Sequence, residues 1–117
     1  MRVVHGNRLR KANRPIIDDI QFDSDAEGRR YGTLKLLQMS GKIGQLEVKP
    51  RLALVIKGRK IGRGYIVLDF RYKEDIDGAL RWVYEDAKGN VDTQVAKLRR
   101  QIASALHPDV IIRVVSA

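Results

Sequence analysis

The sequence lacks cysteine, and this absence excludes several kinds of chemistry. Without thiols the chain holds no disulfide, no thiolate nucleophile and no zinc or iron–sulfur site built on cysteine. Histidine occurs only as His5 and His107, too few for a histidine-rich metal site. No apolar run approaches the roughly 18–20 residues that a membrane helix needs. The first 15 residues also lack the apolar segment of a secretory signal. We therefore expect a protein of the reducing cytoplasm.

Positive charge is what the sequence has in excess. Lysine and arginine number 23 against 14 aspartates and glutamates, which gives a formal net charge of +9 on 117 residues. Hydrophobic residues make up 44% and charged residues 32%, as in a single globular domain rather than a disordered chain. So large a charge on so small a domain indicates a polyanionic partner, and nucleic acid is the first candidate.

The positive charge is concentrated first at the start of the sequence. Residues 1–15 are basic and contain no acid. We predict a basic arm over residues 1–21, followed by one domain over residues 22–117. Two interpretations of the arm stay open, a solvated terminus or a segment that lies along phosphates. The cations that would contact phosphates are Arg8, Arg10 and Lys11.

A second cationic segment covers residues 58–64 and is rich in glycine. We predict a connection between two strands here, either a flexible hairpin or a loop that contacts nucleic acid. Its cations, Arg59, Lys60 and Arg63, favour the contact.

Hydrophobic patterning predicts a mixed α/β domain in the order α-β-β-β-α-β. Ser24 followed three residues later by Glu27 fits a capping box, and a helix is expected over residues 25–39. Thr93 is a good N-cap for a second helix, which His107 ends just before Pro108. Strands are predicted at residues 46–56, 65–72, 80–87 and 110–115. The last two strands are expected to run parallel, in a sheet with a helix on each face or both helices on one face.

Few acids lie inside predicted strands, and two of them could meet across paired strands. Asp69 belongs to the strand over residues 65–72 and Asp86 to the strand over 80–87. If these strands pair, the two carboxylates come near each other and need a cation or a proton between them. Mg²⁺ is the usual cation for such oxygen ligands. Lys88 would then lie beside the metal, where it orients a water or meets the charge on a phosphate.

Four sequence pieces in this order resemble the PD-(D/E)xK nuclease superfamily. More closely, the chain is similar to a small phage-encoded endonuclease family related to Holliday-junction resolvases. The pieces are F-D-S-x-x-E-x-R-R-Y at 22–31, D-F-x-Y at 69–72, E-D-x-K-G at 85–89 and T-x-x-x-K at 93–97. The resemblance covers residues 22–115. The sequence departs from the superfamily pattern in one way, because Leu68 rather than proline precedes Asp69.

The resemblance implies a restriction-endonuclease-like mixed sheet flanked by helices. It also implies metal-dependent hydrolysis of DNA, selective for branched structures, by a homodimer that cuts two strands symmetrically. Asp69, Asp86 and Glu27 would hold Mg²⁺, with Mn²⁺ able to replace it, and Lys88 would complete the catalytic set. The residues that would touch the scissile strand are Gln94 and Lys97.

Two other functions stay open on the sequence alone. One is a nucleic-acid-binding module without catalysis, and the other is a nuclease that acts on RNA or on single strands. At the level of residues, Glu27 is equally well explained as a helix cap alone or as a cap that also supports a metal. Glu85 is expected on the solvent face or paired with an arginine.

Overall fold

The computed structural model describes residues 14–88 and 92–116. The elements are β1 (Ile16–Ile17), β2 (Ile20–Gln21), α1 (Asp25–Met39), β3 (Ile43–Val48), β4 (Arg51–Ile56), β5 (Arg59–Val67), β6 (Phe70–Ile76), β7 (Ala79–Lys88), α2 (Gln94–Leu106) and β8 (Ile111–Ser116). No helix in these ranges is long and apolar enough to cross a membrane.

A four-stranded mixed sheet in the order β3-β6-β7-β8 forms the centre of the fold. β7 pairs antiparallel with β6 and parallel with β8, so the predicted parallel pair is confirmed. Alternate residues of β7 enter different cores: Val83 packs in the cluster that α1 covers, and Tyr84 packs in the cluster that α2 covers. The two helices therefore lie on opposite faces of the sheet, and the mixed α/β class is confirmed.

Both helices begin where their caps predict. The Ser24 hydroxyl accepts a hydrogen bond from the backbone N–H of Glu27 at 3.2 Å, and α1 then runs over the predicted residues. The Thr93 hydroxyl accepts from the N–H of Ala96 at 3.1 Å, and α2 ends before His107. These caps satisfy backbone donors that have no partner within the helix.

The described residues contain more strands than the predicted order α-β-β-β-α-β. The order is corrected to β-β-α-β-β-β-β-β-α-β. The predicted strand 46–56 divides into β3 and β4 because Lys49 has a left-handed backbone (φ +57°) and Pro50 has no N–H to donate. The predicted strand 65–72 divides at residues 68–69, where the chain leaves the β4–β5 hairpin and enters the central sheet.

The predicted connection over residues 58–64 is also wrong, since most of it belongs to β5. The turn consists only of Lys57 and Gly58, both at positive φ, which is the geometry of a two-residue hairpin turn. Gly64 lies within β5 at φ +91°, and a Cβ there would come within 2.9 Å of the Lys60 side chain. Glycine therefore lets this strand continue where another residue would be strained.

Part of the predicted arm is packed against the domain. β1 and β2 pair around a two-residue turn, and Ile17 and Ile20 pack against the core cluster beneath α1. The backbone N–H of Phe22 donates to the carbonyl of Pro15 at 2.8 Å, which ties the segment to the start of the domain. Arg8, Arg10 and Lys11 lie outside the described residues.

Candidate active site

Three charged residues meet at one end of the central sheet. Val48 of β3 lies opposite Phe70 of β6, and Phe70 lies opposite Glu85 of β7. Lys49 directly follows Val48, Asp69 directly precedes Phe70, and Asp86 directly follows Glu85. The register therefore places a cation and two carboxylates side by side at one end of three neighbouring strands, although the first and the last are 37 positions apart in the sequence.

These three side chains open into a cavity of about 330 Å³. The segment that precedes α1, the first half of α2 and the inner part of β5 complete its wall. The charged residues that line it are Asp23, Lys49, Arg63, Asp69, Asp86, Lys88, Arg99 and Arg100. Tyr65 adds an aromatic ring, and the Arg63 guanidinium lies 5.0 Å from the centre of that ring. A few carboxylates thus lie within a rim of cations, a distribution suited to an anionic ligand approached through a bound metal.

Asp69 is held in place by the backbone. Its Oδ2 accepts a hydrogen bond from the N–H of Ala87 at 2.7 Å, and its own N–H donates to the carbonyl of Glu85 at 3.0 Å. Burial raises the pKa of Asp69, and the negative charge of Glu27 raises it further. The hydrogen bond from Ala87 and the positive charge of Lys49 act in the opposite direction and lower it. The site thus holds this carboxylate in a fixed position at an electrostatic cost.

Asp86 lies on the neighbouring strand and has two cationic partners. Its Oδ2 lies 3.3 Å from Nη1 of Arg100 and 3.6 Å from Nζ of Lys88. Burial and the negative charge of Asp69 nevertheless raise the pKa of Asp86. The two aspartates therefore repel each other, as the sequence predicts for two acids on paired strands.

Glu27 reaches the same end of the sheet from the first turn of α1, but its nearest partner is Lys49. Nζ of Lys49 lies 2.8 Å from Oε1 of Glu27, 3.2 Å from Oδ2 of Asp23 and 3.5 Å from Oδ1 of Asp69. Burial favours the neutral amine, yet the Glu27 hydrogen bond and the charges of Glu27 and Asp69 raise the pKa of Lys49 to about 12. Lys49 is thus a permanent cation between the helix and the sheet.

The donor set suits a hard divalent cation. Asp69 and Asp86 offer carboxylate oxygens at the cavity, and each would lose repulsion if a cation lay between them. Mg²⁺ in particular is commonly held by one or two carboxylates, with waters and substrate phosphates as its other ligands. Within residues 14–88 and 92–116, no three acids or histidines form a ready-made cluster that could hold a metal ion. The fit therefore rests on the aspartate pair.

The predicted site residues divide into two groups. Glu27, Asp69, Asp86 and Lys88 meet at this end of the sheet, and Arg63 lies on the cavity rim. Others are placed elsewhere: Arg59 and Lys60 follow the hairpin turn, Gln94 is exposed at the start of α2, and Lys97 lines a shallower groove with Arg100. Their roles as nucleic-acid contacts stay predictions.

Sequence reasoning missed Lys49, and it placed Arg100 on a solvated helix face or on phosphates without predicting its contact with Asp86. Lys49 directly precedes Pro50 at the end of a strand. This pattern predicts that the strand ends there, but it does not predict that Lys49 lies near Asp69. Arg100 is only 9% exposed, because its guanidinium pairs with Asp86 and Asp92. One signal for Arg100 was available: it lies two turns beyond the N-cap of α2, on the same helix face as Ala96 and Ala103.

Glu85 is expected either on the solvent face or paired with an arginine, and the arginine pairing is correct. It is fully buried and accepts two hydrogen bonds from Arg30 of α1, at 2.5 and 2.9 Å. The Tyr72 hydroxyl also donates to it. It lies on the α1 face of the sheet, away from the face where Asp86 meets Arg100.

The fold and the site together define a mixed α/β domain with an aspartate pair at a cationic cavity. Residues 8–116 match the family described as "Protein of unknown function (DUF1064)", and the chain belongs to this family. No curated protein and no solved structure matches the chain.

Proposed function

We propose that this protein is a metal-dependent endonuclease that hydrolyses phosphodiester bonds of DNA. Its substrate would be recognised by structure rather than by sequence, with branched DNA such as a four-way junction as the main candidate. The setting would be the cytoplasm of a bacterium or a phage-infected host, and the resemblance to junction-resolving nucleases favours a homodimer.

One observation carries this proposal: two buried carboxylates, Asp69 and Asp86, face a cavity whose rim is cationic, and the charge of Asp69 helps to raise the pKa of Asp86. A purely structural ion network would pair each acid and close the space around it. Here burial and the charge of Asp69 outweigh Lys88 and Arg100 in setting the pKa of Asp86. An added divalent cation would remove that imbalance and, at the same time, attract a phosphate.

The residues around the pair can divide the work of hydrolysis. When bound, Mg²⁺ would polarise the phosphate and make water a better nucleophile. Lys88 extends from the end of β7 beside Asp86, where its ammonium can orient the water or offset charge that develops on the phosphate oxygens. Arg63 and Arg99 lie on the rim and can hold the flanking phosphates.

The charge of the whole chain supports the choice of substrate. A net charge of +9 gives affinity for any phosphate backbone without reading bases. A domain of this size offers little surface for base contacts, so selectivity through the shape of the substrate is the simpler mechanism. Arg59, Lys60, Gln94 and Lys97 would extend the contact beyond the cavity.

A cleavage assay tests the proposal. End-labelled four-way junction, duplex, single-stranded DNA and RNA are incubated with Mg²⁺, Mn²⁺ or chelator. Wild type is compared with Asp86→Ala and Lys88→Ala, and with Asp19→Asn and Lys42→Ala as matched exposed controls. We expect metal-dependent cutting of the junction that both site variants lose and both controls retain. Absence of cutting on every substrate, with metal present, would overturn the proposal.

A non-catalytic nucleic-acid-binding module is the second candidate, and one feature favours it. The carboxylates already have cationic partners, with Lys49 beside Glu27 and Asp69 and Arg100 beside Asp86. Binding without cutting, unchanged by metal or by Asp86→Ala, would support that function. Cutting of only RNA or single strands in the same panel would support a nuclease of that other class.

A further inference from the structure

The ammonium group of Lys49 contacts both Glu27 and Asp69. We propose that this ammonium group takes the place of a second divalent ion, so that the site holds one ion per chain, at Asp69 and Asp86. Glu27 then holds Lys49 rather than a metal. This inference rests on the proposed function and names how many ions the same site uses.

The space at Glu27 and Asp69 does not hold both an ammonium group and a metal ion. In two-metal sites the ions lie about 3.5–4 Å apart and share a carboxylate between them. Asp69 interacts electrostatically with both Glu27 and Asp86, so a second ion that shares Asp69 would bind at Glu27 and Asp69. Nζ of Lys49 already contacts these two acids, at 2.8 Å from Oε1 of Glu27 and 3.5 Å from Oδ1 of Asp69. Mg²⁺ ligands lie about 2.0–2.1 Å from the ion, so the ion and the ammonium group cannot both fit.

Backbone hydrogen bonds hold Lys49 in position. Its φ is +57°, and its N–H donates to the carbonyl of Asp69 at 2.9 Å. Pro50 follows directly, and the carbonyl of Pro50 accepts from the N–H of Leu68 at 3.0 Å. The chain segments that carry Lys49 and Asp69 are therefore hydrogen-bonded to each other. The side chain begins beside its partner, unlike that of a surface lysine on a free loop.

The Glu27 side and the Asp86 side of the site differ in how their acids are paired with cations. On the Glu27 side, Asp23 adds a further contact to Lys49 at 3.2 Å, so three carboxylates surround one ammonium group. On the Asp86 side, Arg100 is shared with Asp92, and Nζ of Lys88 lies 3.6 Å from Oδ2 of Asp86. Asp69 and Asp86 both line the cavity, so a single divalent ion is expected between these two carboxylates.

The number of bound ions tests the inference directly. Mn²⁺ binding is measured by isothermal titration calorimetry, with free Mn²⁺ counted by electron paramagnetic resonance, on the full chain without nucleic acid. Wild type is compared with Lys49→Met, with Lys49→Met/Glu27→Gln, and with Lys42→Met as a control that loses the same charge from an exposed position. Circular dichroism checks that each variant is folded.

We expect one Mn²⁺ per chain for wild type and Lys42→Met. Lys49→Met should bind two, and its additional ion should bind at least tenfold more tightly than any second ion on wild type. The double variant Lys49→Met/Glu27→Gln should lose that additional ion. Two ions on wild type, or one ion on a folded Lys49→Met, would overturn the inference and leave the nuclease proposal standing. If Lys49→Met does not fold, the number of ions on wild type alone decides between one ion and two. No Mn²⁺ on wild type would instead remove the metal, and with it the proposed function.

Discussion

Glu85 and Asp86 are adjacent acids on one strand, and they differ in almost every physical respect. Glu85 points to the α1 face, is completely buried and is hydrogen-bonded to Arg30 and Tyr72. Asp86 points to the other face, lies 9% exposed at a cavity and has a pKa raised by burial and by Asp69. Its partners lie at 3.3 and 3.6 Å, which is looser than the contacts of Glu85.

The comparison shows that burial of an acid does not by itself indicate a function. Glu85 is the more deeply buried of the two, but its charge is matched by a bidentate arginine and a hydroxyl donor. Asp86 keeps a repulsive neighbour and access to a cavity of about 330 Å³. A charge left unbalanced at an accessible position is the better indicator of a site.

The largest effect should come from removing the charge of the acid at the cavity. Asp86→Asn keeps the shape of the side chain but removes a proposed metal ligand, so we expect cleavage to fall about 10⁴-fold. The measurement is the single-turnover rate on the preferred DNA substrate with Mg²⁺. Asp19→Asn, in an exposed turn, is the matched control. A rate within threefold of wild type would show that Asp86 has no role in the chemistry.

The next largest effect should come from the neighbouring acid, on stability instead of activity. Glu85→Ala leaves Arg30 and the Tyr72 hydroxyl without their common partner inside the fold. We expect the free energy of unfolding to fall by about 3 kcal/mol, measured by urea denaturation. Cleavage per folded molecule should persist at low temperature. A stable Glu85→Ala protein that has lost activity would reverse the roles assigned to the two acids.

Stability should also depend on pH through Asp86. The pKa of Asp86 is raised in the folded state above its ordinary value of 3.8, so the folded protein binds its proton more tightly than the unfolded chain does. The destabilising contribution is therefore absent below about pH 3.8 and grows as pH rises through the raised pKa. Asp86→Asn should melt at a higher temperature than wild type at pH 7, and the difference should close as pH falls toward 4. A difference that is constant with pH would contradict the assigned cause.

Metal should offset the same repulsion. At a Mg²⁺ concentration about 100 times the dissociation constant, the stability of wild type should rise by about 2.7 kcal/mol. Thermal melting with and without Mg²⁺ measures this, and Glu85→Gln should respond as wild type does if it folds. Asp86→Asn should lose most of the shift. An equal shift in Asp86→Asn would place the metal elsewhere.

The smallest effect should come from the cavity rim. Arg63→Ala removes one candidate phosphate contact, so DNA binding should weaken a fewfold on every substrate. The slope of log affinity against log salt should decrease by about 1. Fluorescence anisotropy over a range of salt concentrations measures both, with Lys42→Ala as a control of equal charge change. An unchanged slope would remove Arg63 from the interface.

Local signals predict the elements that local chemistry determines. The caps at Ser24 and Thr93 fix both helix starts, and the strand predicted over residues 80–87 is found as part of β7. The sequence also predicts that Asp69 and Asp86 lie close together, because two successive strands joined by a short turn most simply pair antiparallel. These inferences depend on residues close together in the chain.

The rest depends on distant contacts. The break at Lys49 and Pro50 separates β3 from β4, and only the pairing of β3 with β6 brings Lys49 beside Asp69. Glycine-rich residues 58–64 predict a loop by composition, yet a paired hairpin accommodates positive φ within β5. The face on which Glu85 lies depends on where α1 packs, and no local pattern specifies that.

The position of the metal tests the central claim most directly. Crystals of the wild-type protein grown with Mn²⁺ would be measured at the manganese absorption edge, and an anomalous difference map would locate the ions. The account predicts one peak per chain, bound by the carboxylates of Asp69 and Asp86, with Lys49 still beside Glu27. A peak at any other position, or none at saturating Mn²⁺, would contradict the assignment of this end of the sheet as the active site.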